Sequence, residues 1–215
     1  MITLLISNNI NIYLNYYNIN IYIYIIIMSE ISEIKSSYKN SLNYKDIFKT
    51  ICFMHQNCKK IVEIGILDGY SLKTIADSVS NICQIDAYDI FDDFNGNRAN
   101  KEKLNNIFTP YTNVNILYGD FYNLVNTFDN NSIDILHIDI ANNGNIYEYV
   151  FNNYINKIKN NGIIVLEGGS NERDNIEWMN KYNYPKMKPI LEQFSSTYNI
   201  LTIGNIPSIT IITKK

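Results

Sequence analysis

The stretch KIVEIGILDGYS, Lys60 to Ser71, constrains this chain more than any other, because in it a buried strand breaks directly into a glycine-bracketed turn. Ile61, Val62 and Ile64 make the short β-branched run of a parallel strand covered on both faces. Gly65 and Gly69 bracket the turn, where glycine tolerates unusual backbone angles and lets a ligand approach the main chain. Leu72, Ile75, Ala76 and Val79 then recur at helical spacing and predict a helix over 71–80. The spacing E-x-G-x-x-x-G differs from the G-x-G-x-x-G of dinucleotide folds. Glycine turns also serve as plain strand-to-helix connections, so the loop acquires meaning only from the elements C-terminal to it.

Those elements alternate between strand and helix, the mark of a parallel sheet covered on both faces. Strands are predicted at 60–64, 82–88, 114–118, 133–138 and 163–166. Helices are predicted at 100–107, 145–159, 175–182 and 188–194, with a helical stretch over 30–57 preceding the first strand. In the helix over 145–159, Tyr147, Val150, Phe151, Tyr154 and Ile158 form the buried stripe. Asn161-Gly162 is read as its stop, with glycine in the left-handed C-terminal position. Two final strands, 199–203 and 208–213, are joined by Gly204-Asn205-Ile206-Pro207, too few residues for a parallel crossover, so they should pair antiparallel. Trp178 and Met179 are assigned to a packed helix face, and His55 to the surface.

The 215 residues suffice for one full core, and 46% hydrophobic with 18% charged residues describe a globular domain. A net charge of -3 and a pI near 5.4 argue against a nucleic-acid partner, which demands a basic stripe. Cys52, Cys58 and Cys83 suit neither a disulfide framework nor a zinc site, and are read as reduced thiols in a cytoplasmic protein. Residues 1–27 stand apart: 21 of them are Ile, Asn or Tyr, and none is charged. They lack the basic n-region and cleavage site of a secretory signal. The favoured expectation is an appendage outside the fold, with Met28 as the alternative start and a domain over 28–215. The apolar run 19–27 leaves a membrane anchor as the other reading.

In an open α/β sheet the ligand sits beyond the carboxyl ends of the strands, where the strand order reverses, so the residues at those ends carry the chemistry. After the first strand lie Gly65, Asp68, Gly69 and Ser71. The second ends in IDAYDIFDDFNG, where a carboxylate can accept ribose hydroxyls; Asp89 is the choice and Asp86 the alternative. The third is followed by YGDFYN, with Asp120 and Phe121. The fourth and fifth end in Asp139 and Glu167. Neighbouring strands lie about 4.8 Å apart, so these two carboxylates can converge on a cation or act as a base on a hydroxyl. His137, two residues before Asp139, faces the same side of its strand and titrates near neutrality, although a histidine within a strand also serves as a satisfied core residue.

Taken together, these motifs resemble the class I S-adenosylmethionine-dependent methyltransferases over residues 58–215, with IDILHIDIANNGNIYEYVFNNYINKIKNNGIIVLEGG as the strongest segment. The resemblance implies a three-layer Rossmann-like α/β sandwich whose mostly parallel seven-stranded sheet closes with an antiparallel C-terminal hairpin. It implies S-adenosyl-L-methionine as cofactor. Glu63 would help hold the ammonium end, Gly65, Gly69 and Ser71 would form the cofactor loop, and Asp89 would take the ribose. Asp120 would bond the adenine amino group, with the ring of Phe121 framing the base. Asp139, Glu167 and His137 become the catalytic candidates, and Asp139 with Glu167 the ligands of a magnesium ion. Metal-dependent members place a second acid or amide after the fifth strand; here Gly168 stands, with Asn142 or Asn171 as substitutes. Asn171, Glu172 and Arg173 are candidates for a loop near the acceptor.

YDIFDDFNG resembles a stretch of sugar O-methyltransferases. DNA amino-methyltransferases carry an N/D-P-P-Y/F motif where this chain has DIANNG. The expected acceptor is therefore a small-molecule or sugar hydroxyl. The rival readings are a catalytically inactive methyltransferase-fold binding protein and a cephalosporin-hydroxylase-like protein.

Overall fold

The computed structural model describes Thr3–Ile6, Ile10–Tyr13 and residues 44–94 and 96–215. The chain divides into two compact units, Met1–Glu33 and Ile34–Lys215. In the first, β1 (Thr3–Ile6) pairs antiparallel with β2 (Ile10–Tyr13), Thr3 opposite Tyr13. The expectations for the 19–27 run, for Met28 and for the helical positions before Tyr44 lie outside the described residues.

The second unit is built on a seven-stranded sheet. Its members are β3 (Lys60–Ile64), β4 (Gln84–Asp89), β5 (Val114–Tyr118), β6 (Ile133–Ile138), β7 (Ile158–Glu167), β8 (Tyr198–Gly204) and β9 (Ser208–Lys214). They lie in the order β5-β4-β3-β6-β7-β9-β8. β3 to β7 are parallel, and β9 runs antiparallel to both β7 and β8. The α/β sandwich with its closing hairpin is therefore present. The chain leaves β3 toward β4 and returns on the other side at β6, so the strand order reverses between β3 and β6, where side chains of adjacent loops part to leave a crevice.

Helices cover both faces. α1 (Tyr44–Met54), α2 (Tyr70–Ala76) and α3 (Lys101–Phe108) pack on one, burying Phe48, Ile51, Leu72, Ile75, Leu104 and Phe108 against Ile61, Ile85 and Ile135. On the other lie α4 (Phe121–Leu124), α5 (Gly144–Tyr149), α6 (Glu177–Lys181) and α7 (Met187–Phe194), over Val62, Ile64, Leu136 and Ile164. Alternate residues of β3 thus feed opposite cores, which explains its continuous apolar run. Asn100 caps α3 by accepting from the Lys103 N–H at 2.8 Å. Among the described residues, no helix is long and apolar enough to cross a membrane.

One expectation fails at the junction of α5 and β7. Past Tyr149 the helix widens into a π-turn, Val150–Tyr154, tightens over Ile155–Lys157, and ends two residues short of 159. The tyrosine and phenylalanine stripe is buried as read, but Ile158 already pairs with Ile133, and the register then jumps to Ile135 opposite Ile163. Asn161-Gly162 is therefore a bulge inside β7, not a helix stop. Gly162 has no positive φ; a Cβ there would meet Ile158 Cγ2 at 2.6 Å and the Asp134 carbonyl oxygen at 2.9 Å, so close strand approach demands glycine. His55 is half-buried, its ring nitrogens 3.1 Å from the Ile51 carbonyl oxygen and 3.0 Å from that of Asn161.

Candidate active site

A cavity of about 640 Å³ opens at the carboxyl ends of the parallel strands, walled by the loops after β3, β4, β5 and β6, by Glu167 at the end of β7, and by Tyr44 and Phe48 of α1. Gly65 lets the first loop enter. Its φ is +93°, and a Cβ there would lie 2.1 Å from the Asp139 carbonyl oxygen, so any side chain would force β3 and β6 apart at the floor. The Asp139 N–H in turn donates to Ile64 O at 3.0 Å.

Glu63 does not line the cavity; it lies fully buried behind two residues that do. Its Oε1 accepts from Ser71 Oγ at 2.5 Å and lies 2.8 Å from His137 Nδ1. The strand register dictates this, since Glu63 pairs directly with His137. Glu63 Oε2 is buried without a hydrogen-bond partner among the described residues. With Nδ1–H donating to the carboxylate, the His137 ring keeps a lone pair on Nε2, and the edge of the ring packs against Phe48 at 4.7 Å.

Asp89 lines the cavity with its carboxylate already engaged. Oδ2 accepts from the Ile66 and Leu67 N–H groups at 2.8 and 3.4 Å, and Oδ1 from the Phe91 N–H and from Asn97 Nδ2 at 2.8 and 2.6 Å. It therefore clamps the glycine loop to the end of β4. The alternative, Asp86, is absent from the cavity wall and is held by Lys60, Asn115 and Gln84. Burial would raise its carboxyl, but those three partners outweigh it and the net shift is downward.

Asp120 caps α4, accepting from the Tyr122 and Asn123 N–H groups at 3.1 and 3.2 Å while facing the cavity. Phe121 also borders the cavity, but its ring stacks on Tyr154 at 5.1 Å within the core. Tyr122, 47% exposed, is the freer aromatic surface at this end.

Asp139 is half-buried on the cavity wall. Burial, then the nearby charge of Glu167, pushes its carboxyl up to about 7, against the opposing pull of His137 and Arg173. The folded chain thus retains a proton that the unfolded chain releases above its ordinary 3.8. The stability tied to this group is full below pH 3.8 and is lost as pH rises through 7. Asp139→Asn, which never ionises, should melt increasingly above wild type between about pH 4 and 8. A rise from 3.8 to about 7 corresponds to about 4 kcal/mol, reduced to roughly 2 by cavity water. Thermal melts across that range check it; a constant offset would refute the assignment.

The donor set at the ends of β6 and β7 overturns the magnesium expectation. The Glu167 carboxylate receives Arg173 on both oxygens, Nε to Oε1 at 2.7 Å and Nη2 to Oε2 at 3.0 Å. The guanidinium is itself buried and lies 5.6 Å from the Trp178 ring centroid. Gly168 cannot be exchanged for a second ligand: its φ is +100°, and a Cβ would meet Met187 Sδ at 2.7 Å. Asn142 is fully buried, donates to the carbonyls of Ile138 and Glu167, and is absent from the cavity wall, as is Asn171. Among the described residues no three His, Cys, Asp or Glu side chains form a group fit for a metal ion. Magnesium does not fit this donor set. Arg173, read from the sequence as an acceptor-loop residue, serves Glu167 instead.

A family model described as a methyltransferase domain matches residues 62–167, from β3 to the end of β7. Over those residues the chain is similar to methyltransferase domains. Solved structures share the fold. The O-methyltransferase TomG from Streptomyces achromogenes, involved in tomaymycin synthesis and solved with S-adenosylmethionine, is 15% identical with a TM-score of 0.59, covering 81% of this chain and 82% of its own. The Bacillus cereus O-methyltransferase solved with S-adenosylhomocysteine is 15% identical, with a TM-score of 0.58 and coverage of 83% and 84%. The Podospora anserina methyltransferase PaMTH1, also bound to S-adenosylhomocysteine, gives 16%, 0.56, 79% and 78%. No functionally curated protein matches the chain. The cavity also brings in residues that the motifs did not single out, Asn97 on Asp89 and the aromatic wall of Tyr44, Phe48 and Tyr184. Asn97 lies in the loop after β4, and the aromatic residues come from segments outside the strand ends, so no strand-end motif marks them.

Proposed function

We propose that this protein transfers the methyl group of S-adenosyl-L-methionine to a hydroxyl oxygen of a small molecule, a sugar among the candidates. The observation that carries the reading is one cavity holding two chemistries. Gly65, Ser71, Asp89 and Asp120 belong to its cofactor half, and His137 and Asp139 to its reacting half; Gly69, expected in the cofactor loop, is absent from the wall and turns instead toward Leu104 and Phe108. Its volume of about 640 Å³ falls within the usual range of small-molecule sites. The neighbours that carry S-adenosylmethionine or its product support the cofactor assignment.

In this reading Asp89 holds the loop and would accept from the ribose in place of Asn97 Nδ2, and Asp120 would take the adenine amino group beside Tyr122 and Phe121. Glu63 Oε2 offers its negative charge to the ammonium end. The acceptor lies against Tyr44, Phe48 and Tyr184. Bound S-adenosylmethionine would supply an electrophilic methyl group and a thioether leaving group; His137 would take the proton of the attacking acceptor hydroxyl. Glu63 fixes the histidine tautomer. Alignment supplies most of the acceleration and proton removal the rest.

Calorimetric titration with S-adenosylmethionine and S-adenosylhomocysteine tests the cofactor, and methyl transfer to a panel of hydroxylated small molecules tests the reaction. Asp89→Asn should weaken cofactor binding about 10- to 100-fold, as loss of a charge-assisted acceptor does. An unchanged affinity would move the ribose acid elsewhere, and a folded protein that binds neither ligand would end the reading. A cofactor-binding but inactive protein is the reading that the sealing of Glu167 by Arg173 favours; binding without transfer to any acceptor would support it.

A further inference from the structure

Cys58 precedes β3 and Cys83 precedes β4, at the end of the sheet opposite the cavity. The strands are adjacent and parallel, with Lys60 beside Gln84, and the Gln84 N–H donates to the Lys59 carbonyl at 2.9 Å. The two cysteines therefore sit at neighbouring strand starts, where the spacing of about 4.8 Å lies within the Cα separation of about 4.4–6.8 Å that a disulfide spans. Both side chains enter the same core, and their Sγ atoms are 2.8 Å apart. The third thiol, Cys52 on α1, is also buried.

We infer that Cys58 and Cys83 form an oxidation site that a peroxide converts to a disulfide. Cys58 is the entry point because it lines a surface groove together with His55, Asp134 and Lys159. The bond from Cys83 lowers the Cys58 thiol against the effect of burial, with help from Lys159 and Lys59, whereas burial pushes Cys52 up to about 12. Thiolate character decides which cysteine reacts. The Cys58 thiolate attacks one peroxide oxygen, the O–O bond breaks, and the departing oxygen leaves as water after protonation, giving a sulfenic acid. Cys83 then displaces the sulfenic oxygen as a second water. Two thiols and one hydrogen peroxide thus become one disulfide and two waters.

The closed loop, with its ends 25 positions apart in sequence, contains β3, the glycine turn and α2. Oxidation should therefore staple the strand–loop–helix unit that carries Gly65 and Ser71, and raise the melting temperature by about 6 °C or more. This inference does not depend on the methyltransferase reading.

The test treats the reduced full chain with equimolar hydrogen peroxide, blocks free thiols under denaturing conditions and maps peptides without reduction. Expected are a mass loss of two hydrogens, one crosslinked peptide joining Cys58 to Cys83, a blocked Cys52, and a melting temperature that rises and returns with dithiothreitol. Cys83→Ser should give no crosslink and trap Cys58 as a sulfenic acid. Three free thiols after oxidation of the folded wild type, a link through Cys52, or a lower melting temperature on bond formation would overturn the inference.

Discussion

His137→Asn is expected to cut turnover on a true acceptor by about 10²- to 10⁴-fold while leaving affinity for S-adenosylmethionine within a few-fold of wild type. The asparagine can still bond to Glu63, so the buried carboxylate keeps a partner and the floor of the cavity keeps its packing. What disappears is the free ring nitrogen, the lone pair that takes the hydroxyl proton in the proposed reaction. Glu63→Gln supplies the companion result. It removes the charge that holds the imidazole in one tautomer across 2.8 Å and stabilises the imidazolium formed on proton transfer, so the pH–rate profile should shift as well as fall. A purely structural histidine would lower stability in both variants without moving that profile. Normal turnover in His137→Asn would transfer the base role to Asp139.

Legibility in the sequence tracks the strength of local constraint. β5 and β6 are readable to the residue because each is a short run rich in aliphatic residues, set between polar turn residues at both ends. The start of β7 is not, because a register jump between Ile133 and Ile135 adds Ile158 to a strand whose local pattern continues the helix before it. The same division holds in the cavity. Gly65, Asp89, Asp120, Asp139 and Glu167 are readable as strand-end residues, since parallel topology delivers strand ends to one rim. Side-chain partnerships are not. Nothing local says that Phe121 turns into the core against Tyr154 and leaves Tyr122 outside, or that Glu63 stands behind Ser71 and His137. Arg173 reaches Glu167 only because Gly168 and Gly169 both adopt positive φ and fold the chain back on itself.

That reversal carries the largest stability prediction. Arg173→Met removes one half of a buried bidentate pair whose carboxylate is 2% exposed, so Glu167 loses both of those hydrogen bonds. The expected loss is about 3–5 kcal/mol, the scale for breaking a buried pair from one side. Glu167→Gln combined with Arg173→Met should recover most of it, because no charge then remains to be solvated in the protein. Denaturant titration of wild type, both single variants and the double variant closes the cycle. Strict additivity would show that the two side chains do not depend on each other. The same pair sets the response to metals. A divalent ion would have to expel a guanidinium held by two hydrogen bonds and packed over Trp178. Chelator and added magnesium should both leave wild-type turnover unchanged. Activity that rises with magnesium and vanishes with chelator would mean that Arg173 swings out of the site, a motion the double variant would make unnecessary.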